Sequence, residues 1–233
     1  MRVAALYDVH GNLPALEAVL AEVEQESPDV VLVGGDVSAG PFPVECLELL
    51  RSLGDGAVWI RGNADRELGD WPAEQLTEEQ RAFLKGLPET VVLDVDDLGT
   101  VLFCHGSPRS DEETVTERSP ELRLEAALAG VTQQVVVHGH THFAYDREFG
   151  LYRLICLGSV GMPYADMPGA YWGMFGPGFA QRHTVYDLDA AAERIRASGW
   201  PQAKQIAAEN VLTVPKADDA IDFFERMAAA EER

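Results

Sequence analysis

The stretch "VAALYDVHGNLPALEAVLAEVEQE" (residues 3–26) decides the architecture. Its first five residues, Val3 to Tyr7, are a continuous apolar run of strand length. From Leu13 the period changes. Leu16, Val19, Leu20 and Val23 recur at helical spacing, with glutamates on the opposite side. Between the two lies a short polar hinge, "DVHGN" (8–12). A buried strand passing into an amphipathic helix is the repeating unit of parallel α/β structure.

The unit recurs outward from this stretch. "DVVLV" (29–33) is followed by a loop with Pro41 and Pro43, then by a helix near 44–52. "AVWI" (57–60) runs into "RGNAD" (61–65). A helix is expected over 77–86, with Thr77 as its cap and Gln80 three residues on. From residue 90 the pattern becomes antiparallel. "TVVLDV" (90–95) and "TVLFCH" (100–105) flank the turn "DDLG" as a hairpin. A helix near 120–129 and a strand "QVVVHG" (134–139) follow. "FAYDREF" and "LYRLICLG" make a second hairpin about Gly150, and 182–188 adds a strand. Helices are expected at 189–198, 201–209 and 216–231. No linker or repeat interrupts the chain. The expectation is one α/β domain over 1–233: two mixed β-sheets packed as a sandwich and flanked by helices, in four layers.

Bulk properties narrow the function. Apolar and charged contents of 46% and 24% are those of an ordinary globular protein. A net charge of −21 repels polyanions, so neither stable nucleic-acid binding nor attachment to an anionic membrane is expected. No apolar run approaches the roughly 18–20 residues of a membrane span. The N-terminus reads as a first strand rather than a signal peptide. Cys46, Cys104 and Cys156 are scattered among apolar residues, which suits reduced, buried thiols in a cytoplasmic protein.

The chemistry sits where apolar strands end. Asp8 and His10 follow the first strand, Asp36 the second, and Asn63 and Asp65 the third. His105 ends the first hairpin, and His140 and His142 follow the later strand. Ligands gather at such carboxyl ends in open α/β folds. Asp8 and His10, like His140 and His142, are two apart. In extended backbone that spacing aims both side chains to one side. Four of the six histidines fall in these tips. Imidazole with carboxylate suits divalent transition metals, whereas an all-oxygen set would suit Mg or Ca.

Taken in order, "DVHGN", "GDVSAG", "GNAD", "CHGSP" and "GHTH" resemble the calcineurin-like metallophosphoesterase superfamily. "LGSVGMP" and "RHTVYDLDAAAERI" further resemble its small bacterial and archaeal branch. The resemblance implies two divalent ions (Mn, Fe, Ni, Co or Zn). Asp8, His10 and His142 would hold one; Asn63, His105 and His140 would hold the other; Asp36 would bridge them. The activity implied is that of a phosphoric ester hydrolase acting on a small phosphorylated substrate. Metal coordination can lower the pKa of bound water from 15.7 to about 7, and the hydroxide would attack phosphorus in line. They also keep the site cationic inside an acidic protein, whose surface field is screened over roughly 10 Å.

One position departs from the family. Many members carry a histidine after "GN", which protonates the leaving oxygen and is oriented by the acid that follows. Here the residue is Ala64, and Asp65 lacks that partner. General-acid help is worth about 10²–10⁴ in rate, most for a basic alkoxide leaving group. Activated phosphodiesters and nucleotide phosphoanhydrides, dinucleoside tetraphosphates among them, are therefore expected to be better substrates than alkyl monoesters.

Arg109, in "HGSPR", is a candidate to grip a substrate phosphate bidentately, with Arg61 and Arg66 as weaker ones. His138 reads as a strand or supporting residue and His183 as structural. The segment 162–179, rich in Met, aromatics, Gly and Pro, is expected to be core or a dimer contact of a homo-oligomer. A wall against which a base stacks, through Tyr164 or Trp172, is the alternative. Two rival functions are a protein serine/threonine phosphatase and a binding scaffold with a dead site. No peptide groove is legible for the first, and the full ligand set speaks against the second.

Overall fold

The computed structural model describes residues 1–231. Strand β1 (Val3–Leu6) leads into helix α1 (Leu13–Glu26), capped by Asn12, whose side chain accepts from the Ala15 N–H. Strand β2 (Val30–Val33), helix α2 (Pro43–Arg51) and strand β3 (Ala57–Trp59) repeat the unit. Three short helices follow: α3 (Asn63–Arg66), α4 (Asp70–Gln75) and α5 (Glu78–Lys85). Thr77 and Gln80 form the expected reciprocal cap of α5. Then come β4 (Thr90–Val95), β5 (Gly99–Cys104), α6 (Glu121–Ala127), β6 (Val135–His138), β7 (Ala144–Phe149) and β8 (Tyr152–Leu157). Strands β9 (Ala170–Phe175) and β10 (Phe179–Thr184) precede α7 (Leu188–Arg196), α8 (Ala203–Ile206), a π-helical turn over 207–212, and α9 (Ala217–Glu231).

The strands form two five-stranded sheets, ordered β10-β9-β1-β2-β3 and β4-β5-β6-β8-β7. Both are mixed. β1, β2 and β3 run parallel, as do β5, β6 and β8, while the outer pairs are antiparallel. Alternation along the strands builds the layers. Val3, Ala5, Leu32, Phe103, Val137 and Ile155 point between the sheets. Ala4, Leu6, Val31 and Val33 point out to α1 and α2, where Leu16, Val19, Cys46 and Leu47 cover them. On the other side Leu102, Val136 and Leu154 meet Leu124 of α6 and Ile221 of α9. The four-layer α/β sandwich read from the sequence is the fold observed.

The main difference lies in 162–179. Its centre is not a wall for base stacking: it is β9, a strand next to β1 in the first sheet. Trp172 is fully buried, and its indole donates to Thr184 Oγ1 at 2.9 Å. Trp172 thus cannot stack a ligand, and the core reading holds for it. The alternation of this strand is hidden by Gly173. That residue faces the second sheet, and a Cβ there would lie 2.7 Å from Leu157 Cδ2. Tyr164 sits apart from the strand, beside the polar tips described below. The strand expected at 182–188 begins at Phe179 and ends at Thr184, paired with β9.

Candidate metal centre

The parallel strands of both sheets end on the same edge, and the polar tips meet there. β1 delivers Asp8 and His10, β2 Asp36, β3 Asn63, β5 His105, and β6 His140 and His142. Asp8, His10, Asp36, His140 and His142 all have left-handed backbone, with φ of 55°, 46°, 53°, 68° and 61°. Such a conformation costs roughly 1–2 kcal/mol per non-glycine residue. Clustered at one spot, it marks local preference overruled by the fold around it. The reason each pair shares a cleft is therefore not the strand alternation inferred from the sequence. Both members of each pair turn through left-handed backbone. Glycines permit the close approach: a Cβ on Gly62 would lie 2.2 Å from Asp36 Oδ1, and one on Gly139 would lie 2.5 Å from Asp8 Oδ2.

The histidines are aimed by backbone carbonyls. His10 Nδ1 faces Ala39 O at 3.3 Å, His105 Nδ1 faces Gly34 O at 2.8 Å, and His142 Nδ1 faces Met162 O at 2.9 Å. A carbonyl only accepts, so each Nδ1 carries the proton and each Nε2 turns inward. This is the arrangement that orients imidazole toward a metal. His10 Nε2 and His142 Nε2 are only 3.0 Å apart. In neutral rings these are two lone pairs facing each other, which only a shared cation or proton relieves.

Two carboxylates complete the cluster. Asp8 Oδ2 accepts from the His140 N–H at 2.9 Å, while Asp8 Oδ1 is buried with no hydrogen-bond partner. That orphan oxygen is 3.4 Å from His142 Nε2, 3.7 Å from His105 Nε2 and 3.8 Å from His10 Nε2. Asp36 Oδ2 lies between the two sides, 3.5 Å from His105 Nε2 and 3.7 Å from His10 Nε2. Asp36 Oδ1 accepts from the Ala64 N–H at 2.8 Å. Asp8 with His10 and His142, and Asp8 with Asp36 and His105, each bring ligand atoms within 4.8 Å of one another. Asn63 Oδ1 faces His105 Nε2 at 3.2 Å, and the His140 ring meets the His105 ring edge-on at 5.4 Å. An orphaned buried carboxylate oxygen among inward-facing imidazole nitrogens fits a divalent cation.

The charges are tightly balanced. Burial alone would raise the pKa of Asp36, but His105 outweighs it and holds the carboxyl well below its usual range. Burial likewise opposes ionisation of Asp8, and His142 and His105 reverse it. Burial would lower His105, yet Asp36 and Asp8 push it up to about 10. Burial, then the His105 charge, takes His140 down to about 4. In the absence of a metal, His105 carries the compensating proton.

The remaining candidates lie elsewhere. Asp65 is turned away from the cleft. Its carboxylate accepts from the N–H groups of Asp36 (2.8 Å), Val37 (3.0 Å) and Gly62 (3.0 Å). It fastens the Asp36 loop to the Asn63 loop. Burial, then Asp36, pushes its pKa up to about 7. Arg109 pairs with Glu113, its Nε 2.9 Å from Oε2, and is half exposed. Arg61 and Arg66 both converge on Asp111. His138 is buried against Tyr145 Oη at 2.7 Å, and His183 bonds Pro168 O; neither joins the cluster. The carbonyls at Gly34, Ala39 and Met162 have no sequence signal, because any residue carries one. Nor did it show that Phe224 of α9 would reach His140, with ring centroids 6.4 Å apart.

The chain belongs to the calcineurin-like phosphoesterase superfamily: it matches that superfamily's domain over residues 1–174. It is similar to the metallophosphoesterase of Sphaerobacter thermophilus, at 26% identity and a TM-score of 0.71. That likeness covers 91% of this chain and 100% of the other. It is 26% identical to phosphodiesterase YfcE of Escherichia coli over 73% of this chain and 85% of YfcE. It is 32% identical to the symmetrical bis(5'-nucleosyl)-tetraphosphatase of Klebsiella pneumoniae over 71% of this chain. The chain spans about half the length of the tetraphosphatases it matches. Among the described residues, no helix is long and apolar enough to cross a membrane.

Proposed function

We propose that this protein is a dinuclear metal-dependent phosphoesterase that hydrolyses activated phosphodiesters or nucleotide phosphoanhydrides. The observation that carries the reading is the buried, unpartnered Asp8 Oδ1 among three imidazole Nε2 atoms aimed inward by backbone carbonyls. In this reading Asp8, His10 and His142 hold one ion, Asn63, His105 and His140 the other, and Asp36 touches both. The ions, when bound, supply Lewis acidity and lower the pKa of a nucleophilic water.

The chain's own residues set the preference among substrates. Ala64 leaves its backbone N–H on Asp36 and offers only a methyl group on a half-buried surface. Asp65 is occupied by three backbone donors. Neither can protonate a leaving oxygen, so good leaving groups are favoured. Arg109 would have to leave Glu113 to reach a substrate, so the phosphate is assigned to the ions. The relatives' names support the same substrate class, as phosphodiesterase and nucleotide tetraphosphatase. A cytoplasmic enzyme suits three buried, unpaired cysteines.

The test uses metal-depleted protein reloaded singly with Mn²⁺, Fe²⁺, Co²⁺, Ni²⁺ or Zn²⁺. Bis(4-nitrophenyl) phosphate is expected to turn over at least about 100-fold faster than glycerol phosphate, the lower edge of what general-acid loss predicts. Elemental analysis is expected to find two ions per chain. Asp36→Asn should abolish turnover with the circular dichroism spectrum unchanged. Equal rates on the two substrates would refute the leaving-group preference, and a reloaded protein without bound ions would refute the whole reading.

A further inference from the structure

A cleft of about 330 Å³ lies beside the centre, within the roughly 300–1,000 Å³ of small-molecule sites. Two segments that carry the candidate ligands meet again there. One is the Ala39–Gly40 turn, whose Ala39 carbonyl holds the His10 ring. The other is the start of α4, the helix that follows the Asn63 segment. The opposite wall comes from the turn at Trp200. Gly199, at φ +85°, brings that turn against Trp71: a Cβ there would lie 3.5 Å from Trp71 Cη2.

The lining has a distinct chemistry. Trp71, Trp200, Pro72 and Pro201 supply flat apolar surface. Asp70 is its one charged side chain; no lysine or arginine lines it. Asp70 is exposed and, among the described residues, has no ion pair or side-chain hydrogen bond. The Trp71 indole N–H is buried in the wall without a partner, a donor the fold leaves unsatisfied.

We propose that this cleft binds the purine base of a nucleotide substrate whose phosphates lie in the metal centre. The inference rests on the phosphoesterase reading above and names its substrate class further. A carboxylate with no neighbouring cation repels phosphate, so the cleft takes the uncharged part of the molecule. A planar heteroaromatic ring stacks on indole. A purine such as adenine also brings an exocyclic N–H donor for the Asp70 carboxylate. The Ala39–Gly40 turn, shared with His10, places the base beside the phosphate-binding edge.

The test is equilibrium dialysis of adenosine against the full-length, metal-depleted protein, with ribose 5-phosphate as the second probe. Saturable binding of adenosine and none of ribose 5-phosphate is expected. Trp200→Ala should weaken it at least about fivefold, the lower range for loss of one stacking partner. Asp70→Asn alters an exposed, unbonded side chain and so keeps the fold; it should weaken adenosine binding severalfold. The same variants should raise KM for a dinucleoside polyphosphate more than they lower kcat. No saturable adenosine binding, or unchanged affinity in Asp70→Asn, would overturn the proposal. If Asp36-dependent diester hydrolysis survives that result, the base site fails and the phosphoesterase reading stands.

Discussion

The two halves of the centre are built differently. On one side His10 and His142 are each pinned through Nδ1 to a carbonyl, and their rings lie 4.7 Å apart over the orphan oxygen of Asp8. On the other side only His105 is pinned so. Asn63 and His140 are half-buried, and among the described residues no hydrogen bond fixes the His140 ring nitrogens. The imidazoles pinned through Nδ1 are concentrated on the first half. A preorganised donor set loses less entropy on binding. The first half is therefore expected to bind its ion more tightly, and the second to exchange its ion.

The largest expected effect tests that contrast directly. His142→Ala should weaken the tighter of two titrated metal affinities by more than about 100-fold, beyond the 10–100-fold typical of supporting residues. His140→Ala should leave the tighter site in place and affect only the weaker. Calorimetric titration of the metal-depleted variants decides it, and equal losses at both sites would break the comparison.

Asp65 links the halves through the loops that carry Asp36 and Asn63. Asp65→Asn places an amide among three backbone donors, so at least one buried N–H loses its acceptor. A destabilisation of about 1–3 kcal/mol is expected from urea unfolding. A variant as stable as the parent would show that the two loops do not depend on this tie.

The third effect is one of pH. His105 has a folded pKa of about 10 against an ordinary 6.5. Its contribution is therefore fully present below pH 6.5 and is lost as pH rises through about 10. The physical cause is the Asp8–Asp36 pair, which is left without a compensating charge once His105 deprotonates. Metal-depleted protein should lose stability over that range, and metal-loaded protein should lose less. Loading at neutral pH should release a proton, readable in a weakly buffered indicator solution. A flat stability profile without metal would sink this account.

The smallest effect concerns the arginine outside both halves. With its guanidinium held by Glu113 and more than half of the side chain in solvent, Arg109→Ala should change kcat/KM on bis(4-nitrophenyl) phosphate by less than about threefold, as for exposed ion pairs. A loss of tenfold or more would return Arg109 to the substrate.

Much of this was legible in the sequence, for reasons that can be named. The continuous apolar runs of β1, β5 and β6 and the helical period of α1 report burial directly, so the two-sheet sandwich could be read from them. The polar tips were legible because each interrupts an apolar run. What was not legible depended on partners distant in the chain. β9 was missed because Gly173, which makes room for Leu157, breaks its pattern. Arg109 looked like a phosphate ligand because its spacing from His105 says nothing of Glu113, four residues on. Asp65 read as a catalytic-site residue that had lost the histidine it would orient, because the three N–H groups that occupy it belong to backbone, which carries no sequence signal.

The sequence by itself determined which residues can bind and where strands hand over to loops, since hydrophobic period and residue chemistry are local properties. Only the tertiary structure decided which way each donor faces. Left-handed backbone at Asp8, His10, Asp36, His140 and His142, and carbonyls from two separate loops, are conformations no short segment prefers. They persist because two packed sheets hold the strand ends in place and leave those side chains nowhere else to point.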